Sequence, residues 1–171
     1  MSGRLSGKIA IITGAGQQPG STPGNGRATA IRFAQEGATC VLVDINRDFA
    51  EETREMIGED KALVLAADVT EEAACRNIVG ETLDTFGRID ILHNNVGMSK
   101  GDRATTDLDA DVWDRIMTLN LKSMFMLCKA ALPSMRARRS GSIINISSTS
   151  SLSMRPTVAY KTSKGAINTF P

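Results

Sequence analysis

The chain has 171 residues, 42% hydrophobic and 4% aromatic, and its 20 Lys plus Arg against 19 Asp plus Glu give a formal net charge of +1. That length suits a single domain over residues 1–171 with a substantial core, and a near-neutral balance without long charged runs argues against nucleic acid or an anionic membrane as partner. No apolar run approaches a membrane span and Met1–Lys8 lacks a signal-peptide core, so a cytoplasmic protein is expected.

Ile9-Ala10-Ile11-Ile12 runs into a glycine-rich loop, as a buried parallel strand does. Gly26 to Gly37 reads as a helix, Thr39 to Val43 as a second strand ending at Asp44, Asp48 to Ile57 as a helix and Ala62 to Ala66 as a third strand. This βαβαβ alternation predicts an α/β, Rossmann-like doubly wound parallel sheet. Thr70 is a plausible N-cap for a helix that runs to Phe86 and stops at Gly87. Ile89 to His93 reads as strand four, and the polar loop Ser99 to Asp109 leads to a long helix from Asp111 to Arg138, interrupted only by Pro133. Ser142 to Ile146 reads as strand five. Val112, Ile116, Leu119 and Leu127 line one side of the long helix, with Trp113, Met117, Met124 and Leu132 widening the stripe, a pattern expected of a subunit contact.

Cys40, Cys75 and Cys128 are odd in number and widely spaced, and read as reduced thiols. His93 has no Cys, His or carboxylate neighbours at metal-ligand spacing; no metal is expected, and the histidine reads as a packing residue. Arg136, Arg138 and Arg139 suit a solvated helix C-terminus.

Four features carry chemistry. The first βα turn, Thr13-Gly14-Ala15-Gly16 through Pro23-Gly24-Asn25-Gly26, is rich enough in glycine for backbone amides to approach a diphosphate at a helix N-terminus, although Pro19 breaks a plain G-x-G-x-x-G match. Asp44, ending strand two, suits the ribose of NAD and would repel a 2′-phosphate, so NAD is favoured over NADP, with Arg47 as the residue that argues the other way; a helix N-cap is the alternative role for Asp44. Asp68 and Asn94-Asn95-Val96-Gly97 fall at further C-terminal strand ends, the edge along which such sheets bind ligands. Tyr160 and Lys164 stand four apart in Tyr-Lys-Thr-Ser-Lys, on one face of a helix, where an ammonium favours the ionised form of a phenol.

Thr13-Gly14, Gly24-Asn25-Gly26, Asp68-Val69, Asn94-Asn95-Val96-Gly97, Thr118-Leu119-Asn120-Leu121, Ser147-Ser148 and Tyr160 through Lys164, in this order, resemble the short-chain dehydrogenases/reductases. The resemblance implies oxidation of a secondary alcohol, or its reverse, with Tyr160 as general acid/base. It further implies that Lys164 holds the nicotinamide ribose, Asn120 steadies a water in the proton relay, a serine binds the substrate oxygen, and Gly14, Gly24, Gly26, Asp44, Asp68, Val69 and Asn95 serve the cofactor. Ser148 matches the second position of the serine motif and Ser147 is the alternative. Homodimers or homotetramers are expected of the full-length protein.

Two departures stand out. Where the family places three residues between its first two glycines, this chain has nine, Ala15 to Pro23, a stiff, polar insert expected to bulge outward and either lean over the cofactor or obstruct it. The chain also stops at Pro171, before the family's last strands and substrate loop, so a C-terminally truncated chain is expected, with strand five at a sheet edge. A catalytically inactive dinucleotide-binding or interaction module is therefore the alternative to an enzyme, and a fragment that binds no nucleotide is the third reading. Met98, Ser150, Met154 and Arg155 are the candidates present for shaping a substrate pocket.

Overall fold

Five short apolar runs become five parallel strands in a computed structural model that describes residues 3–20, 22–154 and 156–170. The strands are β1 (Ile9–Thr13), β2 (Thr39–Asp44), β3 (Ala62–Ala66), β4 (Ile91–Asn94) and β5 (Ser142–Asn145), in the spatial order β3-β2-β1-β4-β5. The helices are α1 (Asn25–Gln35), α2 (Arg47–Ile57), α3 (Glu72–Phe86), α4 (Ala110–Met117), α5 (Ser123–Ala137) and α6 (Ala159–Thr169). Every residue of β1 is buried, because helices cover both sheet faces there and successive side chains point to opposite sides. Ile12 and Leu42 pack with Ala30, Ala34 and Ala50 of α1 and α2, whereas Ile11, Val41 and Val43 pack with Ile78, Leu127 and Ile167 of α3, α5 and α6.

β1 lies between β2 and β4, so the chain's winding reverses across the β1–β4 pair and leaves a crevice at the C-terminal strand ends. β5 pairs with β4 at the outer side of the sheet, as expected for strand five, and leaves Ile144 36% exposed. Asn46, not Asp44, caps α2, its side chain accepting a hydrogen bond from Phe49 N at 3.2 Å. Gly87 closes α3 in the left-handed region at φ 70°, as expected of a helix-ending glycine.

Two local expectations are corrected. Thr70 does not cap α3: its hydroxyl donates to Asp68 Oδ1 at 2.7 Å and Glu71 occupies the cap position, because the short Asp68 turn captures the threonine first. Pro133 does not interrupt the long helix; it sits exposed inside α5, where its missing N–H is lost on the solvent side. The interruption is a π turn over Thr118–Lys122, inserted between α4 and α5 around the buried Asn120. Among the described residues, no helix is long and apolar enough to cross a membrane.

Candidate active site

The turn after β1 is built around backbone contacts that only glycine allows. Gly14 has φ 62°, and a Cβ on Gly26 would lie 1.8 Å from the Gly14 carbonyl oxygen, so the start of α1 rests directly on the end of the strand. Gly16 N donates to Asp44 Oδ2 at 2.9 Å, and a Cβ on Gly16 would come within 2.9 Å of the same oxygen. The second Asp44 oxygen accepts from Asn46 N at 3.0 Å. Asn95 fastens the turn from β4: its side-chain amide donates to the carbonyls of Thr13 at 3.2 Å and Gly14 at 3.3 Å, and its backbone amide donates to Thr13 Oγ1 at 3.1 Å.

Gly14, Asp44, Asp68, Val69 and Asn95 all line one cleft of about 510 Å³ at the C-terminal strand ends, with Gly16, Val96 and Gly97 beside them. Gly24 and Gly26 lie behind it, at the N-terminus of α1. Asp68 is exposed and accepts from both Thr70 N and Thr70 Oγ1; Val69 is 5% exposed and forms part of the apolar wall. Gln17 and Gln18 reach the cleft, whereas Pro19, Gly20, Thr22 and Pro23 are exposed, so the insert's base faces the cleft and its tip stands outside; Ser21 lies outside the described residues. A diphosphate-bridged dinucleotide fits this donor set. A glycine cradle is closed against Gly14, the α1 first-turn amides lack intrahelical acceptors, and a carboxylate sits at the end of β2.

Tyr160 occupies the first turn of α6 and lines a second, polar pocket of about 400 Å³ with Ser99, Ser148, Thr149, Ser150, Ser153 and Thr157. Lys164 lies one turn on, its Nζ 5.8 Å from the Tyr160 ring centroid and donating to the Ile146 carbonyl at 2.7 Å. It is 2% exposed, and burial lowers its pKa. A Cβ on Gly97 would lie 3.0 Å from Lys164 Nζ, so this ammonium packs between Gly97 of the cleft and Tyr160 of the second pocket. The two serines differ: the Ser147 hydroxyl donates to the Lys164 carbonyl at 2.8 Å, while Ser148 Oγ accepts from Ser150 N at 3.2 Å and Ser150 Oγ at 2.9 Å and keeps its own proton for a further acceptor. Asn120, 1% exposed, is tied on both sides: its Oδ1 accepts from Met98 N at 2.8 Å, and its amide nitrogen donates to Met98 O and Ser163 Oγ, each at 3.0 Å. Of the pocket candidates, Ser150 lines this second pocket, Met154 is 98% exposed, and Arg155 lies outside the described residues.

Residues 8–171 match the family model for the short chain dehydrogenases. The chain belongs to that family. It is 36% identical over 168 residues to 2-(R)-hydroxypropyl-CoM dehydrogenase of Xanthobacter autotrophicus, a match covering 94% of this chain and 64% of that protein. It is 35% identical over 149 residues to the 3-oxoacyl-[acyl-carrier-protein] reductase of Thermotoga maritima, covering 85% of this chain and 57% of the relative. Among solved structures, a short-chain dehydrogenase/reductase from Burkholderia xenovorans superimposes with a TM-score of 0.91 at 37% identity, over 96% of this chain and 66% of the other. An NAD+-bound xylitol dehydrogenase follows at 0.88 and 34%, over 96% and 62%. The chain thus spans somewhat less than two thirds of the length of these relatives.

One residue beside the site carries no mark of its role in the sequence. Asp102, in the loop after β4, sets its carboxylate against the start of α6: Oδ1 accepts from Val158 N at 3.2 Å and Ala159 N at 3.0 Å, and Oδ2 from Tyr160 N at 2.9 Å. It caps the helix that carries Tyr160 from 58 residues upstream. Nothing local marks it, since the Asp-rich loop also contains Asp107 and Asp109; the signal would have been that α6 starts at Val158-Ala159 with no capping residue of its own.

The remaining sequence candidates are structural. Burial pushes the Cys40 thiol up to about 12 and the Cys75 thiol to about 11, and raises Cys128, so all three are held protonated and unreactive. His93 is 5% exposed with its ring edge-on to Phe33 at 6.1 Å between centroids, and burial lowers its pKa.

Proposed function

We propose that the chain is an NAD-dependent oxidoreductase interconverting a secondary alcohol and a ketone, with residues 1–171 forming one dinucleotide-binding domain. The observation that carries this is the placement of Lys164: its Nζ stands 5.8 Å from the ring of Tyr160, which lines one hollow with Ser148, and packs against Gly97, which lines the other with Gly14, Asp44 and Asn95. The nicotinamide, when bound, supplies the hydride acceptor or donor. The rest falls to this chain's residues. Ser148 donates its free proton to the substrate oxygen and holds the reacting carbon toward Gly97. Tyr160 takes the hydroxyl proton as the alcohol is oxidised and returns it as the ketone is reduced. Lys164 places a cation beside the phenol and the nicotinamide ribose. Asn120 fastens Met98 to Ser163 and offers a second lone pair on Oδ1 to a relay water.

Asp44 supports NAD over NADP. Its carboxylate ends β2 in the cleft, while Arg47, the residue that would favour a 2′-phosphate, is turned to Glu51 at 3.3 Å. The substrate is a small alcohol or ketone, and the partly buried apolar residues Leu121 and Leu132 with the exposed Phe125 suit a homodimer or homotetramer contact. The cytoplasm is the proposed compartment.

The alternative is a dinucleotide-binding module without turnover, in which the nucleotide cleft and the Tyr160 pocket work as separate hollows. Titration with NADH followed by assay of a panel of secondary alcohols separates the two. Binding with turnover supports the enzyme, binding alone supports the module, and no binding overturns both.

A further inference from the structure

We infer that Gln17 is a positioning residue for the diphosphate of the bound dinucleotide, acting through the turn between β1 and α1; this rests on the nucleotide reading above. Nine residues separate Gly14 from Gly24, and a polar loop of that length should let the start of α1 drift away from the strand end. It does not drift: Gly26 rests so closely on Gly14 that no side-chain carbon fits between them. The Gln17 carboxamide spans the loop's return. Its Oε1 accepts from Gly24 N at 2.8 Å and its Nε2 donates to the Thr22 carbonyl at 3.1 Å. A primary amide can accept from one backbone group and donate to another two residues away in this way.

Gly24 is the N-cap of α1 and has no side chain with which to cap the helix. Gln17 instead binds the N-cap residue's own amide from seven residues upstream, as the acidic residue of a capping box does, which fixes the angle at which the chain enters α1. The clasp also selects the donors left for a ligand. With the Gly24 amide satisfied, the amides of Asn25, Gly26 and Arg27 are those without an intrahelical acceptor, and they follow the clasp in register. Pro19, Gly20, Thr22 and Pro23 hang outside as an exposed loop, so the clasp effectively removes the insert from the phosphate turn. Gln17 also lines the cleft beside Gly14 and Gly16.

The test is a cycle of NADH titrations, followed by nicotinamide fluorescence, on the unaltered chain, Gln17→Ala, a deletion of Gln18 to Pro23, and the two changes combined. Loss of two modest hydrogen bonds predicts about tenfold weaker NADH binding for Gln17→Ala. The melting temperature should stay unchanged, because Gln17 belongs to neither core. In the shortened loop, which needs no clasp, the same substitution should change affinity by less than roughly twofold. Equal NADH affinity of the unaltered chain and Gln17→Ala overturns the inference alone. So does an equal loss in both loop backgrounds, which would make Gln17 an ordinary contact. Failure of the unaltered chain to bind NADH overturns the nucleotide reading and this inference with it.

Discussion

Two hollows of about 510 Å³ each lie at opposite ends of the same sheet, and they are built on opposite principles. At the N-terminal strand ends, charges answer one another. Asp90, 4% exposed, accepts from Ile9 N at 2.9 Å and pairs with Arg88 and with Arg138 at 3.0 Å, while Glu36 pairs with Arg4 and Arg32. At the C-terminal ends, Asp44 and Asp68 form no ion pair among the described residues and accept only from nearby backbone amides and a threonine. The difference teaches that volume does not mark a site; unspent hydrogen-bonding capacity does. Strand polarity explains it, since each parallel strand enters the next helix at its C-terminal end and presents that helix's free amides there.

The sharpest break of this comparison is Tyr160→Phe, which removes one oxygen from the open end. Alcohol oxidation should fall by about 10²–10⁴-fold with NADH binding unchanged; steady-state rates and a fluorescence titration read the two, and retained turnover would remove Tyr160 from the mechanism. Asp44→Ala should weaken NAD binding by about 1.5–3 kcal/mol, the range for a charged hydrogen-bond acceptor, and also lower the melting temperature, because the carboxylate accepts from Gly16 N and Asn46 N; calorimetry of binding and unfolding reads the two.

Asp90 predicts a different pattern. Burial pushes its carboxyl up, but the hydrogen bonds from Arg88, Ile9 N and Arg138 outweigh that and hold it at about 2 against an ordinary 3.8. The depressed value contributes about 2 kcal/mol of stability. This is fully present above pH 3.8 and is lost as pH falls toward 2. Asp90→Asn should therefore lower stability at neutral pH, flatten the acid limb of a denaturation profile, and leave NADH affinity alone; a change in that affinity would mean that the two ends are coupled. The smallest effect is that of Asp102→Ala. Loss of the α6 cap should cost about 1 kcal/mol, lower kcat several-fold and spare the dinucleotide KM, with Asp102→Asn recovering part of the rate. An unchanged kcat would sink its positioning role.

Much of this was legible beforehand, for reasons visible in particular residues. Ile9-Ala10-Ile11-Ile12 and Thr39 to Val43 announced buried parallel strands because both sheet faces need apolar cover, and Gly87 marked a helix end because few other residues accept φ near 70°. The C-terminal strand edge was legible because strand-end residues are placed by topology alone. Met154 was misplaced and Asp102 missed for one reason: loop side chains take their direction from tertiary contacts that no local pattern encodes. The π turn at Asn120 was likewise hidden, since its cause is a carboxamide held by Met98 and Ser163, residues 22 and 43 positions away.

By itself, then, the amino-acid sequence determined the winding of the sheet, the family and the spacing of Tyr160 from Lys164, because periodicity, glycine placement and helical repeat are local properties of the chain. Only the tertiary structure decided that the Ser147 hydroxyl donates to the Lys164 carbonyl while Ser148 Oγ accepts, that Lys164 Nζ stands between Tyr160 and Gly97, and that Asp102 and Gln17 bind the amides at the starts of α6 and α1. Each of those depends on which distant backbone group a polar side chain meets, and burial makes that meeting obligatory only once the fold has closed.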